Sequence, residues 1–336
     1  MLTTGVNYPW RHYGGDFGPT VWGSRHGIAA AHVEVARDLH AMAASGVEVV
    51  RWFLFADARG GISIDPRGLP TGLADDTLDD LDALCVLALD AGVQLVLVLF
   101  DHTLAFHPTD AAGARVGGHR AWLAEPEGQS RVLDALVGPL ARRYGTRGSH
   151  AELGRAVFAW DLLNEPDWLV TELYPAARTA AMPFDVLAAW IRDVAAEVRR
   201  HDAGLVTVGG ARLRFARWWD DPRLGLDFLQ AHAYYDPVHD LDMLQTAHAA
   251  LRLTRPLVLG ECSAQGDPED AGAGRPRLLL GDLASAALAR GYAGAWPWSW
   301  RGVDAHGAAT AEAMRAVADA TDAARAERRI STRSTT

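Results

Sequence analysis

Two glutamates at the ends of apolar runs are the residues of this chain best placed to do chemistry. Glu165 lies in Asn164-Glu165-Pro166, directly after Val157-Phe-Ala-Trp-Asp-Leu-Leu163, and Glu261 follows Pro256-Leu-Val-Leu-Gly260. Each run has the length and composition of a buried strand, and each carboxylic acid falls where such a strand would open into a loop. Two carboxyl groups about 5–5.5 Å apart can cleave a glycosidic bond with retention, one as nucleophile and one as general acid and later base. The acid must keep its proton near neutral pH while the nucleophile stays ionised, so the surroundings must drive the two pKa values apart.

The local spacing adds detail. In Leu257-Val-Leu-Gly-Glu261 alternation places Leu257, Leu259 and Glu261 on one side of the strand, and Gly260 removes bulk beneath the reacting group. Asn164 and Glu165 are consecutive, so simple alternation points them to opposite faces. Both reach one pocket only if the strand kinks or bulges there, and such an irregularity is expected.

The elements that must position these residues can be read from periodicity. Strands are expected at 5–9, 47–55, 93–100, 157–163, 205–209, 228–234, 257–261 and 293–300. Stretches with apolar residues three and four apart predict helices over 28–45, 73–91, 130–144, 184–201, 241–253, 276–290 and 308–325. Eight strands with a helix after nearly every one is the inventory of a single (β/α)₈ TIM barrel over residues 1–329, with a polar, frayed tail at 330–336. The weakest unit is 211–222, a poor helix with three arginines and two tryptophans. Long loops after strands 3 and 4, at 103–129 and 167–183, would rise over the C-terminal face, where barrels keep their sites.

Composition narrows the function. The chain has 336 residues, 49% of them hydrophobic, enough for one large core. A net charge of -10 argues against a nucleic-acid partner, which needs a basic face. All 32 basic side chains are arginine, so Schiff-base aldolases, pyridoxal enzymes and phosphate-loop hydrolases, which need a lysine amine, are excluded. Two cysteines form no disulfide framework. No apolar run approaches the roughly 18 residues that span a bilayer, and no charged-then-apolar leader opens the chain. A cytoplasmic location without a membrane partner is the expectation.

These motifs together resemble the clan of (β/α)₈ retaining glycoside hydrolases, most closely glycoside hydrolase family 5, the cellulase and β-mannanase family. The resemblance runs from Gly5-Val-Asn-Tyr-Pro9 to Trp298-Ser-Trp300. It implies that Glu165 is the acid/base and Glu261 the nucleophile, with Asn164 toward a sugar 2-hydroxyl. It further implies that Arg51, ending Val47-Glu-Val-Val-Arg51, sits near the nucleophile, where a permanent cation would keep Glu261 ionised. His102, after Leu97-Val-Leu-Phe-Asp101, would line the central sugar site, with Asp101 the competing polar group. His232 and Tyr234 share a face in Gln230-Ala-His-Ala-Tyr234, and the tyrosine would bond the nucleophile. Trp296, Trp298 and Trp300 alternate along the last strand; Trp298 would lie under the reacting sugar, Trp300 would form rim or platform, and Trp296 would be core. Loop tryptophans 10, 22, 122, 168, 218 and 219 offer further platforms, and Arg11, His12 or Asp16 further substrate contacts.

The expected substrate is a β-gluco or β-manno oligosaccharide or glycoconjugate, cleaved by double displacement without cofactor or metal. Another sugar, a transglycosylase, or a non-catalytic sugar-binding barrel are the alternatives. A metal-dependent hydrolase on the same barrel would need paired histidines near strand one, where only Asn7 and a lone His12 occur.

Overall fold

The computed structural model describes residues 2–111, 114–174 and 180–333. Eight strands form one parallel sheet in chain order: β1 (Gly5–Asn7), β2 (Val49–Phe53), β3 (Gln94–Asp101), β4 (Val157–Asn164), β5 (Leu205–Gly210), β6 (Leu229–His232), β7 (Leu257–Ser263) and β8 (Ala295–Trp298). Sequential parallel order requires a crossover between each pair. The sheet closes on itself: the Thr3 N–H donates to the Ala293 carbonyl at 3.1 Å, and the Trp300 N–H to the Asn7 carbonyl at 2.8 Å. The result is a (β/α)₈ barrel.

β3 illustrates why these runs become barrel strands. Leu95, Leu97 and Leu99 pack into the main core beneath the helices, whereas Val96 and Val98 join smaller clusters inside the barrel. With both faces buried, the run shows no polar alternation, and burying each such side chain contributes roughly 1.5–3 kcal/mol. The barrel interior is layered. Val49, Val96, Ala159, Phe228, Val258 and Trp296 make an apolar floor, while Phe53, Ala56, Val98 and Trp298 cluster nearer the mouth. A polar storey of Asn7, Arg51, Asp161, Thr207 and Gln230 is also buried. Such a layer persists only where its groups hydrogen-bond one another, because an unpaired polar group there would cost several kcal/mol.

The segments around the barrel depart from the sequence reading in several places. The segment expected as helix 241–253 holds only a 3₁₀ turn, His248–Leu251. Aspartates take its backbone donors instead: Asp240 Oδ1 accepts from the Leu241 N–H at 2.7 Å and Asp242 Oδ1 from the Leu244 N–H at 2.8 Å. This is the local competition that makes Asp a poor helix former. After β7 the helix is Leu280–Ala289, shorter than expected. The last helix, Ala311–Arg333, runs beyond Arg325, so the start of the presumed tail is helical, and 334–336 lie outside the described residues. The weak unit after β5 holds the short helix Ala216–Trp219 between the 3₁₀ turns Leu213–Phe215 and Pro222–Leu224. No helix among the described residues is long and apolar enough to cross a membrane.

Candidate active site

Glu261 rises from β7 at the barrel mouth and is buried. The Arg51 Nη1 donates to its Oε1 at 2.7 Å, and the Tyr234 hydroxyl to its Oε2 at 2.9 Å. Arg51 is itself fully buried and spends every arm of its fork. Nε bonds Asp161 Oδ2 at 3.0 Å, Nη1 also bonds Asn7 Oδ1 at 3.0 Å, and Nη2 bonds Asn164 Oδ1 at 2.6 Å. Asp161 in turn accepts from the Gln230 side chain at 2.9 Å and the Gly209 N–H at 3.0 Å. Gly209 has to be glycine here: a Cβ would lie 2.8 Å from Arg51 Nη2 and 3.1 Å from His232 Nε2.

Glu165 is held differently. Three steps along β4, from Asp161 to Asn164, match the two steps from Thr207 to Gly209 on β5, which is the expected irregularity. Glu165 then takes a left-handed backbone, φ 51° and ψ 48°, a conformation costing roughly 1–3 kcal/mol outside glycine. Its N–H compensates by bonding the Gly209 carbonyl at 2.6 Å. The kink turns both Asn164 and Glu165 toward the mouth. Asn164 Nδ2 donates to Asp101 Oδ2 at 2.7 Å, and the amide carries a second N–H. Glu165 Oε1 faces His232 Nδ1 at 2.9 Å, and its Oε2 accepts from the Trp168 indole at 2.8 Å.

His232 bridges the two carboxylates, its Nδ1 lying 3.4 Å from Glu261 Oε2. One carboxylate oxygen of Glu165, one of Glu261 and a His232 nitrogen all fall within 4.8 Å of one another. By distance alone these three could ligate a cation. The guanidinium of Arg51 against Glu261 already supplies the positive charge a divalent ion would bring, and would repel one.

The electrostatics differ from the sequence expectation. Burial pushes Glu261 above the ordinary carboxylate range, against the pull of His232 and Arg51. Burial acts on Glu165 too, but His232, through its hydrogen bond and charge, and then His102 bring it below the ordinary value. His232 is raised despite its burial because Glu261 and Glu165 flank it. In this geometry His232 favours the ionised form of Glu165, the reverse of the protonated acid that the sequence reading expects. The cause is that both Glu165 oxygens meet donors.

The remaining expectations divide. Asp101 and His102 both reach the site, although alternation allowed only one: β3 ends at Asp101 and His102 opens a 3₁₀ turn, 3.7 Å from Glu165 Oε2. Trp298 lies at the mouth with its indole on Asp304 and its ring edge-on to Trp10 and Phe53. Trp296 is buried in the barrel floor. Trp300 does not share the face of Trp298; the strand ends at Trp298, period-two alternation stops, and Trp300 packs against the outer core. Asp16 is no substrate contact but a buried staple, accepting from the Arg11 and His12 amides and the Trp52 indole. Arg11 lies near Asp38 and Glu34. Among the loop tryptophans, Trp122 and Trp219 are core, Trp218 packs on Phe184, Trp22 lies under Arg59, and Trp10 and Trp168 approach the site. The sequence reading missed Asp161, although an aspartate inside an apolar strand was the available signal. It also missed Asp167, buried behind Glu165, whose carboxyl burial pushes up to about 6.

No protein-family model matches the sequence, nor does any curated protein. Solved structures do match in three dimensions. The chain superimposes on a β-mannanase from the blue mussel Mytilus edulis with a TM-score of 0.74 at 18% identity, covering 95% of this chain and 92% of that one. An endo-1,4-β-mannanase from Eisenia fetida gives 0.72 at 21% identity over 94% and 91%. A glycoside hydrolase family 5 mannosidase from Rhizomucor miehei gives 0.61 at 14% identity over 97% and 94%. Likeness at this level of identity establishes the shared (β/α)₈ fold.

Proposed function

We propose that the protein is a retaining β-glycoside hydrolase, with Glu261 as nucleophile and Glu165 as acid/base. The observation that carries this reading is the close approach of the two carboxylates at the barrel mouth, within 4.8 Å and bridged by His232, a separation suited to direct attack. Glu261 Oε1 points down to Arg51 while Oε2 faces Tyr234 and His232, so Oε2 is the attacking oxygen. Arg51 holds the other oxygen, which becomes the carbonyl of the glycosyl ester. Glu165, drawing on the proton it shares with His232, protonates the leaving oxygen. The covalent glycosyl-enzyme is then hydrolysed by a water that Glu165 deprotonates. Asn164 offers its second N–H to the 2-hydroxyl, and Trp298 a flat apolar surface to the sugar ring. The substrate class we propose is a β-mannosidic oligosaccharide or glycoconjugate, which the fold shared with mannan-cleaving enzymes favours over the β-gluco reading.

A panel of aryl β-glycosides differing only in the sugar tests the assignment, with proton NMR following the anomeric product. Turnover of the manno compound with first release of the β-anomer is expected. First release of the α-anomer would sink the retaining mechanism, and preference for another sugar would sink the β-manno assignment alone.

A further inference from the structure

The turn after β4 carries a side chain that the two-carboxylate mechanism does not use. The Trp168 indole N–H donates to Glu165 Oε2, while His232 stands at Oε1. The indole is not an open sugar platform. Tyr174 stacks on it with ring centroids 4.6 Å apart and planes 22° apart, and the Arg212 guanidinium lies 5.7 Å from its centroid. The backbone fixes its place: the 3₁₀ turn Pro166–Leu169 follows the left-handed Glu165, and the Trp168 N–H bonds the Glu165 carbonyl at 3.2 Å. The residue before it, Asp167, points the other way and binds the Trp219 indole and the Ala211 amide. One turn is thus pinned to the core by Asp167 and reaches over the acid/base with Trp168.

Resting on the reading of Glu165 as acid/base, we propose that Trp168 is a positioning residue: its indole N–H orients the Glu165 carboxyl and favours its ionised form. An indole N–H can only donate. To a carboxylate that bond is charge-assisted; to a carboxylic acid protonated on the same oxygen it is weaker. Trp168 therefore supports the base role of Glu165, in which it activates water, more than the acid role. The other groups facing Glu165 are His232 from β6, His102 and Asp101 at the end of β3, Glu261 and Tyr234 across the mouth, and Asp167 behind. Replacing the indole leaves all of them in place.

The test is Trp168→Phe, which keeps a ring for Tyr174 and removes the N–H. Glu165 is titrated directly by carbon-13 NMR in protein labelled at the glutamate carboxyls, its resonance assigned with Glu165→Gln. The midpoint is expected to rise by about one pH unit. With a poor leaving group the basic limb of kcat/KM should move upward by the same amount, a movement absent with a dinitrophenyl leaving group that needs no acid. Trp168→His, which retains a ring N–H, should return the midpoint toward wild type. An unmoved Glu165 midpoint in folded Trp168→Phe overturns the proposal, as does a rate loss without any shift. If that variant does not fold, Trp168→Met against Trp168→Gln gives the same contrast, without and with an N–H. A wild-type protein that cleaves no β-glycoside would refute the catalytic reading, while the titration would still decide the role of Trp168.

Discussion

The two glutamates sit in unlike surroundings. Glu261 stands on a strand over a buried polar storey, where Arg51 ties it to Asp161, Asn7 and Asn164. Glu165 sits past the end of its strand on a left-handed residue, its side chain 21% exposed against 7% for Glu261. Its hydrogen-bond partners are His232 and a tryptophan from its own turn, with His102 3.7 Å away. The barrel itself builds the Glu261 side, and moving one group there disturbs several strands. A bulge and a turn build the Glu165 side, and on the proposed roles that side must accommodate the leaving group. A nucleophile needs a fixed line of attack, whereas an acid/base must serve two steps with different partners.

The sharpest test of that contrast is loss of each carboxylate in turn. Glu261→Gln is expected to lose about 10⁴-fold or more in kcat for every substrate, since no other group can form the covalent intermediate. Glu165→Ala should lose about 10²–10⁴-fold with poor leaving groups and far less with dinitrophenyl glycosides. Azide should accelerate that variant and yield a β-glycosyl azide, because the small anion enters where the carboxylate was. A β-azide from the Glu261 variant and an α-azide from the Glu165 variant would instead exchange the two roles.

A smaller effect is expected at Tyr234, whose hydroxyl holds Glu261 Oε2 at 2.9 Å. A hydrogen bond to a charged group is worth roughly 1.5–3 kcal/mol, so Tyr234→Phe should lower kcat about 10–100-fold. The loss should be similar for good and poor leaving groups, because the hydroxyl acts on the nucleophile and not on proton transfer. A loss confined to poor leaving groups would move Tyr234 to the acid/base side.

The same contrast governs what the sequence discloses. The barrel was legible because its strands are apolar on both faces, and Arg51, His232, Tyr234 and Glu261 stand out as polar residues in or ending such runs. Regular alternation carries the reading along the strands and, after β6, as far as Tyr234. It fails at His102 and Trp300, one residue or two beyond a strand end, and at Trp168, whose direction depends on a bulge and a left-handed residue. The absent helix at 241–253 has the same origin: its apolar spacing is right, but Asp240 and Asp242 claim the amides that a helix would use. Side chains bonding nearby backbone are invisible to periodicity.

The last expected effect, on stability and not on rate, concerns how the Glu165 turn is anchored. Asp167 is buried, accepting from the Trp219 indole at 3.0 Å and closely from the Ala211 amide, and burial pushes its carboxyl up to about 6. The folded state thus holds this proton more tightly than the unfolded chain, whose aspartate titrates near 3.9. Below about pH 4 both states are protonated and the full contribution is present. As pH rises through about 6 the folded state must ionise a buried group, and roughly 2–3 kcal/mol of stability is lost. Asp167→Asn cannot ionise, so its fixed penalty, from turning an amide toward the Ala211 N–H, is the same at every pH. Urea unfolding at pH 4 and pH 7 should therefore show the variant gaining on wild type by about 2–3 kcal/mol across that interval. A gap that stays constant would mean that Asp167 is ionised throughout, pinning the Glu165 turn as an anion instead of a buried acid.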